Sequence, residues 1–431
     1  MEKNAVEKEW ERLFEVAAGI DVHRDTVVVS VRRLQPGGRH KVETRTFETF
    51  HDSLVKMAGW LAEEGVQVVG LESTGVYWQP VVRALQQYAP AALLWLVNPA
   101  HVRKVPGRKT DVTDSQWLSK LVMYGLVAPS FLPSAELQEL RKLTRHRTKV
   151  VADRTRHSNR IIKELEAGGI KLASVCSDVL GKTGRAILDA LIENRPVTEE
   201  AIAEMAHRQL RKKTAQLVRA VDGTMTPCTR VILKQMLERL DDLAADVASL
   251  DAQILQRLSS MACEVALLNE IPGFDSVATA AVLAEMGPDI SVFPSAAHLT
   301  SWAGLSPGSE ESAGKPKKVP TRKGDKYLRT ILVQIALAAS RTKGSYWQRK
   351  YRQLVHLGPK KAIVALARKL LAIVYKILKD RVPYRDPASV PLPPHRVQAT
   401  LRRLSAQIEA LGYQANLTPK TATSTAQLSV S

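Results

Sequence analysis

The sequence predicts an α/β domain with a mixed sheet, followed by a longer and mainly helical region. Three observations lead there. Between residues 17 and 124, short apolar runs alternate with stretches of helical spacing. From Ser134 to about Leu258 the signal becomes helical, with basic residues over 141–163 and apolar residues over 233–258 stepping mostly by three or four. Beyond Met261 the chain stays helical in pattern but becomes strongly basic.

The first strand is Ala17 to Asp21, an apolar run ending on a carboxylate. The alternating stretch Thr26 to Val31 is the second strand, and Pro36-Gly37-Gly38 turns the chain into a third near Val42 to Phe47. Leu54, Met57 and Leu61 give residues 51–64 a helical period. Strand Val66 to Leu71, ending at Glu72, precedes a helix from Val76 to Tyr88. Strand Ala91 to Val97 precedes a basic loop and a helix from Thr113 to Tyr124. A three-strand meander joined to two βα crossovers makes a mixed sheet.

In the helical region, Arg141, Arg145, Lys149, Arg156, Arg160 and Lys163 share one helix face by spacing, and Asp153 is the only acid in that interval. A face of nearly one sign repels itself unless an anion lies against it, which points to nucleic acid. Leu233, Leu237, Leu240, Leu243, Val247, Leu250, Ile254 and Leu258 form a narrow seam that pairs helices. It could close on the 137–165 helix or on a second copy. Asn269 to Ala278 is a helix end, a Pro-Gly turn and a new helix, similar to a helix–hairpin–helix element whose turn, at Gly273, faces a phosphate. After Glu311 the only acid before Asp380 is Asp325. The expected divisions are an N-terminal extension 1–15, a sheet domain 16–127, a helical region 128–260, a basic helical domain 261–385 and a Pro/Ser/Thr-rich tail 386–431, partly disordered.

Composition narrows the function. A net charge of +19 points to a polyanionic partner, either nucleic acid or an anionic membrane surface. The charged N-terminus and charge-broken apolar runs argue against secretion or a membrane span, so a cytoplasmic location is expected. Cys176, Cys228 and Cys263 have no paired spacing and announce neither disulfides nor a zinc ribbon.

The acids carry the chemistry. Adjacent central strands would set Asp21 and Glu72 side by side, and a helix starting near Asp111 would bring Asp114 onto the same face. Four uncompensated carboxylates repel unless they hold a hard divalent cation such as Mg²⁺. The competing reading makes Asp111 and Asp114 simple helix caps.

Gly19-Ile20-Asp21-Val22-His23, Glu72-Ser73-Thr74-Gly75 and Lys109-Thr110-Asp111-Val112-Thr113-Asp114 resemble the acidic motifs of the DEDD transposases of the IS110 insertion-sequence family and its IS1111 relatives. The resemblance continues at Ile271-Pro272-Gly273, Trp302 to Pro307, Glu310 to Lys315 and Thr321 to Asp325, covering about residues 16 to 385. It implies a RuvC-like (ribonuclease H-like) catalytic domain, a helical coiled-coil arm and a C-terminal, mainly helical transposase domain. It also implies Mg²⁺ of the two-metal type on Asp21, Glu72, Asp111 and Asp114, with Ser312 as nucleophile. The implied partners are donor and target DNA, a guide (bridge) RNA and further copies of the chain, as dimer or tetramer, in a bacterial or archaeal cell.

Ser312 also has a chemical case, lying in a small-residue loop with Lys315, Lys317, Lys318, Arg322 and Lys323 to neutralise a phosphodiester. Ser309 is the neighbouring alternative; motif position favours Ser312. Two rival readings remain. A RuvC-like resolvase would use metal-activated water but leave the basic C-terminal domain without a role. A catalytically degenerate nucleic-acid-binding protein would have no need of four acids.

Overall fold

The computed structural model describes residues 12–36, 38–72, 75–102, 105, 113–308, 311–312, 315–316, 321, 323–386, 394–410 and 412–414. The chain forms two compact units, 1–136 and 137–431.

The first unit is built on a five-stranded sheet in the order β3-β2-β1-β4-β5. Strands β1 (Val16–Val22), β2 (Thr26–Leu34) and β3 (His40–Glu48) form the antiparallel meander. Helix α1 (His51–Glu63) leads to β4 (Val68–Glu72), which lies parallel to β1. Helix α2 (Trp78–Tyr88) then leads to β5 (Leu93–Val97), parallel to β4, and the short α3 (Pro99–Val102) follows. Helix α4 (Asp114–Met123) completes the unit. The mixed sheet expected from the sequence is present, with β4 starting two residues later than the apolar run suggested.

The pleat sorts the side chains. Ala18 and Ile20 of β1, Val27, Val29 and Val31 of β2, and Val69 and Leu71 of β4 share one core with Leu54, Met57 and Leu61 of α1 and Val81 and Leu85 of α2. The alternate residues Ala17 and Val68 belong to a second core with Trp117, Leu118, Leu121 and Val122 of α4. This is the period of two that a sheet covered on both faces requires. Two glycines on the α4 side let that helix sit directly on the strands. A Cβ at Gly19 would lie 2.1 Å from the Ser115 carbonyl oxygen, and one at Gly70 would lie 2.5 Å from Val122 Cγ1.

In the second unit, α5 (Ala135–Ala167) runs from the boundary for 33 residues. Four short helices follow, α6 (Leu172–Val175), α7 (Lys182–Ile192), α8 (Glu199–Met205) and α9 (Thr214–Val221). Helix α10 (Pro227–Leu258) then returns along α5. The contacts fix an antiparallel pair: Glu139 with Arg257, Arg147 with Asp251, Val150 with Leu243 and Val247, and His157 with the Met236 carbonyl. The leucine seam therefore closes within the chain. At the far end Ile161 and Leu165 join Leu233 and Leu237 in a core shared with Ile187, Leu188, Ile202 and Leu217 of the short helices.

The remaining helices are α11 (Ala262–Asn269), α12 (Ser276–Met286) and α13 (Ala296–Trp302). A two-stranded pair follows, β6 (Glu311–Ser312) and β7 (Lys315–Pro316). Helices α14 (Lys326–Arg341), α15 (Tyr346–Leu354) and α16 (Pro359–Asp380) come next. The buried stripe Leu328, Leu332, Ile335 and Ala339 of α14 faces α16, whose own buried stripe is Leu366, Leu370 and Val374. Helix α17 (Pro394–Glu409) lies in the tail. Among the described residues no helix is long and apolar enough to cross a membrane.

Candidate active site and charged surfaces

Two of the four acids come together through strand register alone. Ile20 of β1 pairs with Leu71 of β4, so the next positions along these parallel strands are Asp21 and Glu72. Both alternate with a glycine on the α4 side, Asp21 with Gly19 and Glu72 with Gly70, and so both belong to the face that α4 covers. Both are partly exposed. The third acid, Asp114, is the first residue of α4 and is exposed. Its helix is held in place at that end. Thr113 caps it by accepting a hydrogen bond from the Gln116 amide, and Ser115 Oγ lies 2.8 Å from Ser30 Oγ in the buried layer below. Asp111 lies outside the described residues.

A partner absent from the expected set stands beside Asp21. His23, the first residue past the end of β1, has its Nε2 3.2 Å from Asp21 Oδ2. The signal was present in the Asp21-Val22-His23 spacing, but its meaning depends on the turn that follows β1, where the His23 amide donates to the Thr26 carbonyl at 2.9 Å. Among the described residues no three His, Cys, Asp or Glu side chains are grouped closely enough to hold a metal ion. The donors are nevertheless of the right kind, since carboxylates are the hard oxygen ligands that Mg²⁺ takes while retaining water and substrate oxygens.

For Ser312 and Lys315 the structure describes the backbone, where the two residues face each other across β6 and β7. Lys317, Lys318 and Arg322 lie outside the described residues, as does the alternative Ser309. Lys323 is exposed.

The basic face of α5 divides in two. Lys149, Arg156, Arg160 and Lys163 are exposed, with Arg156 also paired to Asp153. Arg141 and Arg145 are not part of an open surface, which corrects the reading of six cations as one phosphate-binding face. Glu285 of α12, 2% exposed, accepts a fork from Arg145 with both bonds at 2.7 Å. Arg141, 14% exposed, lies 3.3 Å from the same carboxylate and donates to the Ala284 and Glu285 carbonyls. It thereby satisfies backbone acceptors that the end of α12 leaves without helical partners. Burial pushes the Glu285 carboxyl above the ordinary glutamate range, against the pull of Arg145. Burial likewise draws the Arg141 guanidinium down, with Glu285 opposing. The physical reason for the correction is pairing: a cation facing a buried carboxylate neutralises that carboxylate first. The sequence held a hint, because Glu285 is the only acid between Asp275 and Asp289 in an Ala-rich apolar helix.

Gly273 has a packing role. Its φ is +93°, and a Cβ there would lie 2.6 Å from the Ile335 carbonyl oxygen. The Pro-Gly turn is thus seated on the backbone of α14, and that contact by itself requires glycine.

Comparison with known proteins gives two matches along the chain. A family of DEDD transposases of the IS110 group matches residues 18–168. The transposase family described as IS116/IS110/IS902 matches residues 265–352. The chain is 25% identical over 326 residues to a Pseudomonas aeruginosa protein named "Probable family 20 transposase", covering 74% of this chain and 86% of that one. It is 23% identical over 293 residues to an insertion element IS116 protein of Streptomyces clavuligerus, covering 63% of this chain and 72% of that one. It is 31% identical over 136 residues to the pilin gene-inverting protein of Moraxella lacunata, covering 31% and 42%.

Proposed function

The chain belongs to the IS110 family of transposases, and from that premise we propose that it cuts and rejoins DNA with a carboxylate metal site and a serine nucleophile. The observation that carries the first half is the register of β1 with β4, which makes Asp21 and Glu72 neighbours on the face covered by α4. Asp21, Glu72, Asp111 and Asp114 would hold Mg²⁺, whose chemistry there is to neutralise charge on the phosphate and polarise its oxygens. His23 would orient Asp21 through the 3.2 Å contact.

In this reading Ser312 Oγ attacks a DNA phosphorus. One P–O ester bond forms to the serine as one breaks to a deoxyribose oxygen. The serine proton leaves to a base, and the departing strand end takes up a proton. Because one ester replaces another, the phosphoserine link keeps the bond energy for the reverse attack by a new strand end. Exposed cations on α5 and Lys323 supply phosphate contacts, and donor and target DNA together with a guide RNA are the proposed ligands. The pilin gene-inverting relatives support a rearrangement of DNA rather than its simple degradation.

The test is covalent trapping. Wild-type protein incubated with Mg²⁺ and a nicked duplex from the DNA flanking the gene should give a denaturant-resistant adduct whose peptide map ends on Ser312. Ser312→Ala should fold, bind and form none, while Asp21→Asn and Glu72→Gln should lose cleavage with melting temperature retained. Cleavage by Ser312→Ala without any adduct in wild type would replace the serine mechanism with metal-activated water.

A further inference from the structure

The segment carrying Ser312 is anchored at its base. Pro307 bridges Thr321 in antiparallel fashion, and within that bracket Ser312 pairs with Lys315. Gly324 and Asp325 are pressed onto the end of α13. A Cβ at Gly324 would lie 2.2 Å from the Gly304 nitrogen, and the Asp325 amide donates to the Trp302 carbonyl at 3.2 Å. Asp325 then caps α14, its Oδ1 accepting from the Tyr327 and Leu328 amides at 2.9 and 2.8 Å.

The other carboxylate oxygen of Asp325 faces α5. Arg145 Nη2 lies 3.5 Å from Asp325 Oδ2, and the same guanidinium forks onto Glu285 and stacks over the Tyr327 ring at 4.2 Å. One side chain of α5 therefore touches the end of α12, the cap of α14 and the first turn behind it. A planar guanidinium with a fixed fork suits this task, since it holds several partners in one orientation where an ammonium would not.

We propose that Arg145, with Asp325 and Glu285, is a positioning junction that holds the base of the Ser312 segment in register with α5. Arg145 acts through Asp325 and touches no reacting atom. The consequence is mechanical: α5 is one continuous helix whose outer half carries the exposed cations Arg156, Arg160 and Lys163, so nucleic acid seated there and the serine segment share one lever. This inference rests on the reading of Ser312 as nucleophile, and the experiment separates the two.

Arg145→Lys keeps the charge and loses the fork, whereas Asp325→Asn keeps an equally good helix cap and loses the charge facing Arg145. Hydrogen exchange of amides 306–325 reports the anchoring without any need for activity. Adduct formation on the nicked duplex reports its consequence, and fluorescence anisotropy with the same duplex reports binding. The expected result is faster exchange confined to 306–325 in both variants, unchanged duplex affinity, and adduct formation slowed by up to about a hundredfold, the scale for displacing a reacting group by an ångström. If Arg145→Lys does not fold, Asp325→Asn decides. Wild-type exchange in folded Asp325→Asn overturns the junction. Wild-type adduct rate in a variant with faster exchange also overturns it as a positioning device. No adduct in wild type, or an adduct retained in Ser312→Ala, overturns the serine reading instead, and the exchange arm still decides whether the junction anchors the segment.

Discussion

The two halves of α5 carry the same sequence signature and have opposite fates. In the inner half, Arg141 and Arg145 are 14% and 33% exposed and close on Glu285, a residue some 140 positions away in the chain. In the outer half, Arg156 is 66% exposed, and Arg160 and Lys163 are exposed beside it. Helical periodicity places cations on a face, but it does not say what will be packed against that face. A distant carboxylate inside an apolar helix converts two of the six from ligand-binding groups into parts of the core.

The largest effect that would sharpen the comparison is loss of the inner pair. Arg145→Ala leaves Glu285 buried without its fork, and a cost of about 3–5 kcal/mol is expected in denaturant unfolding of the chain. Combining Arg145→Ala with Glu285→Gln removes the buried charge that the fork matched and should recover part of that loss, Arg141 staying on the Ala284 and Glu285 carbonyls. Stability of the single variant within wild-type error would mean that the inner arginine is held no more tightly than the outer ones. A smaller effect is expected at the ring beneath Arg145: Tyr327→Leu should cost about 1 kcal/mol by removing the cation–π interaction, read from the same unfolding curves.

The outer half should show almost nothing in unfolding and a clear change in binding. Arg156→Ala, Arg160→Ala and Lys163→Ala should each alter stability by less than about 0.5 kcal/mol. Their combination should flatten the log–log dependence of duplex affinity on salt by roughly 0.9 for each phosphate no longer neutralised. An unchanged slope would assign the outer face to protein contacts and erase the functional contrast between the halves.

Most of the sheet unit was readable from the chain because its signals are local. Apolar runs marked β1 and β4, alternation marked β2, and the carboxylates at Asp21 and Glu72 stood at strand ends. Their adjacency followed from a topology with few alternatives, a meander joined to two crossovers. His23 was missed as a neighbour of Asp21, since its position depends on the turn that joins β1 to β2. In the helical unit the seam on α10 was legible residue by residue, yet its partner was not. Leu243 and Val247 could satisfy themselves on any complementary helix, and the contact with Val150 decides for α5.

By itself, then, the sequence determined which residues alternate, which face each element must bury, where the acids stand along the strands, and a net charge of +19 suited to a polyanionic partner. These depend on spacing and composition, which act over one or two turns or over the whole chain. Tertiary structure alone decided that Gly19 and Gly70 admit α4 onto the sheet, that Gly273 seats a turn on α14, and that Arg141 and Arg145 belong to Glu285. Each of these is a contact between segments far apart in the chain. The free energy of such a contact comes from burial and pairing that neither segment possesses alone.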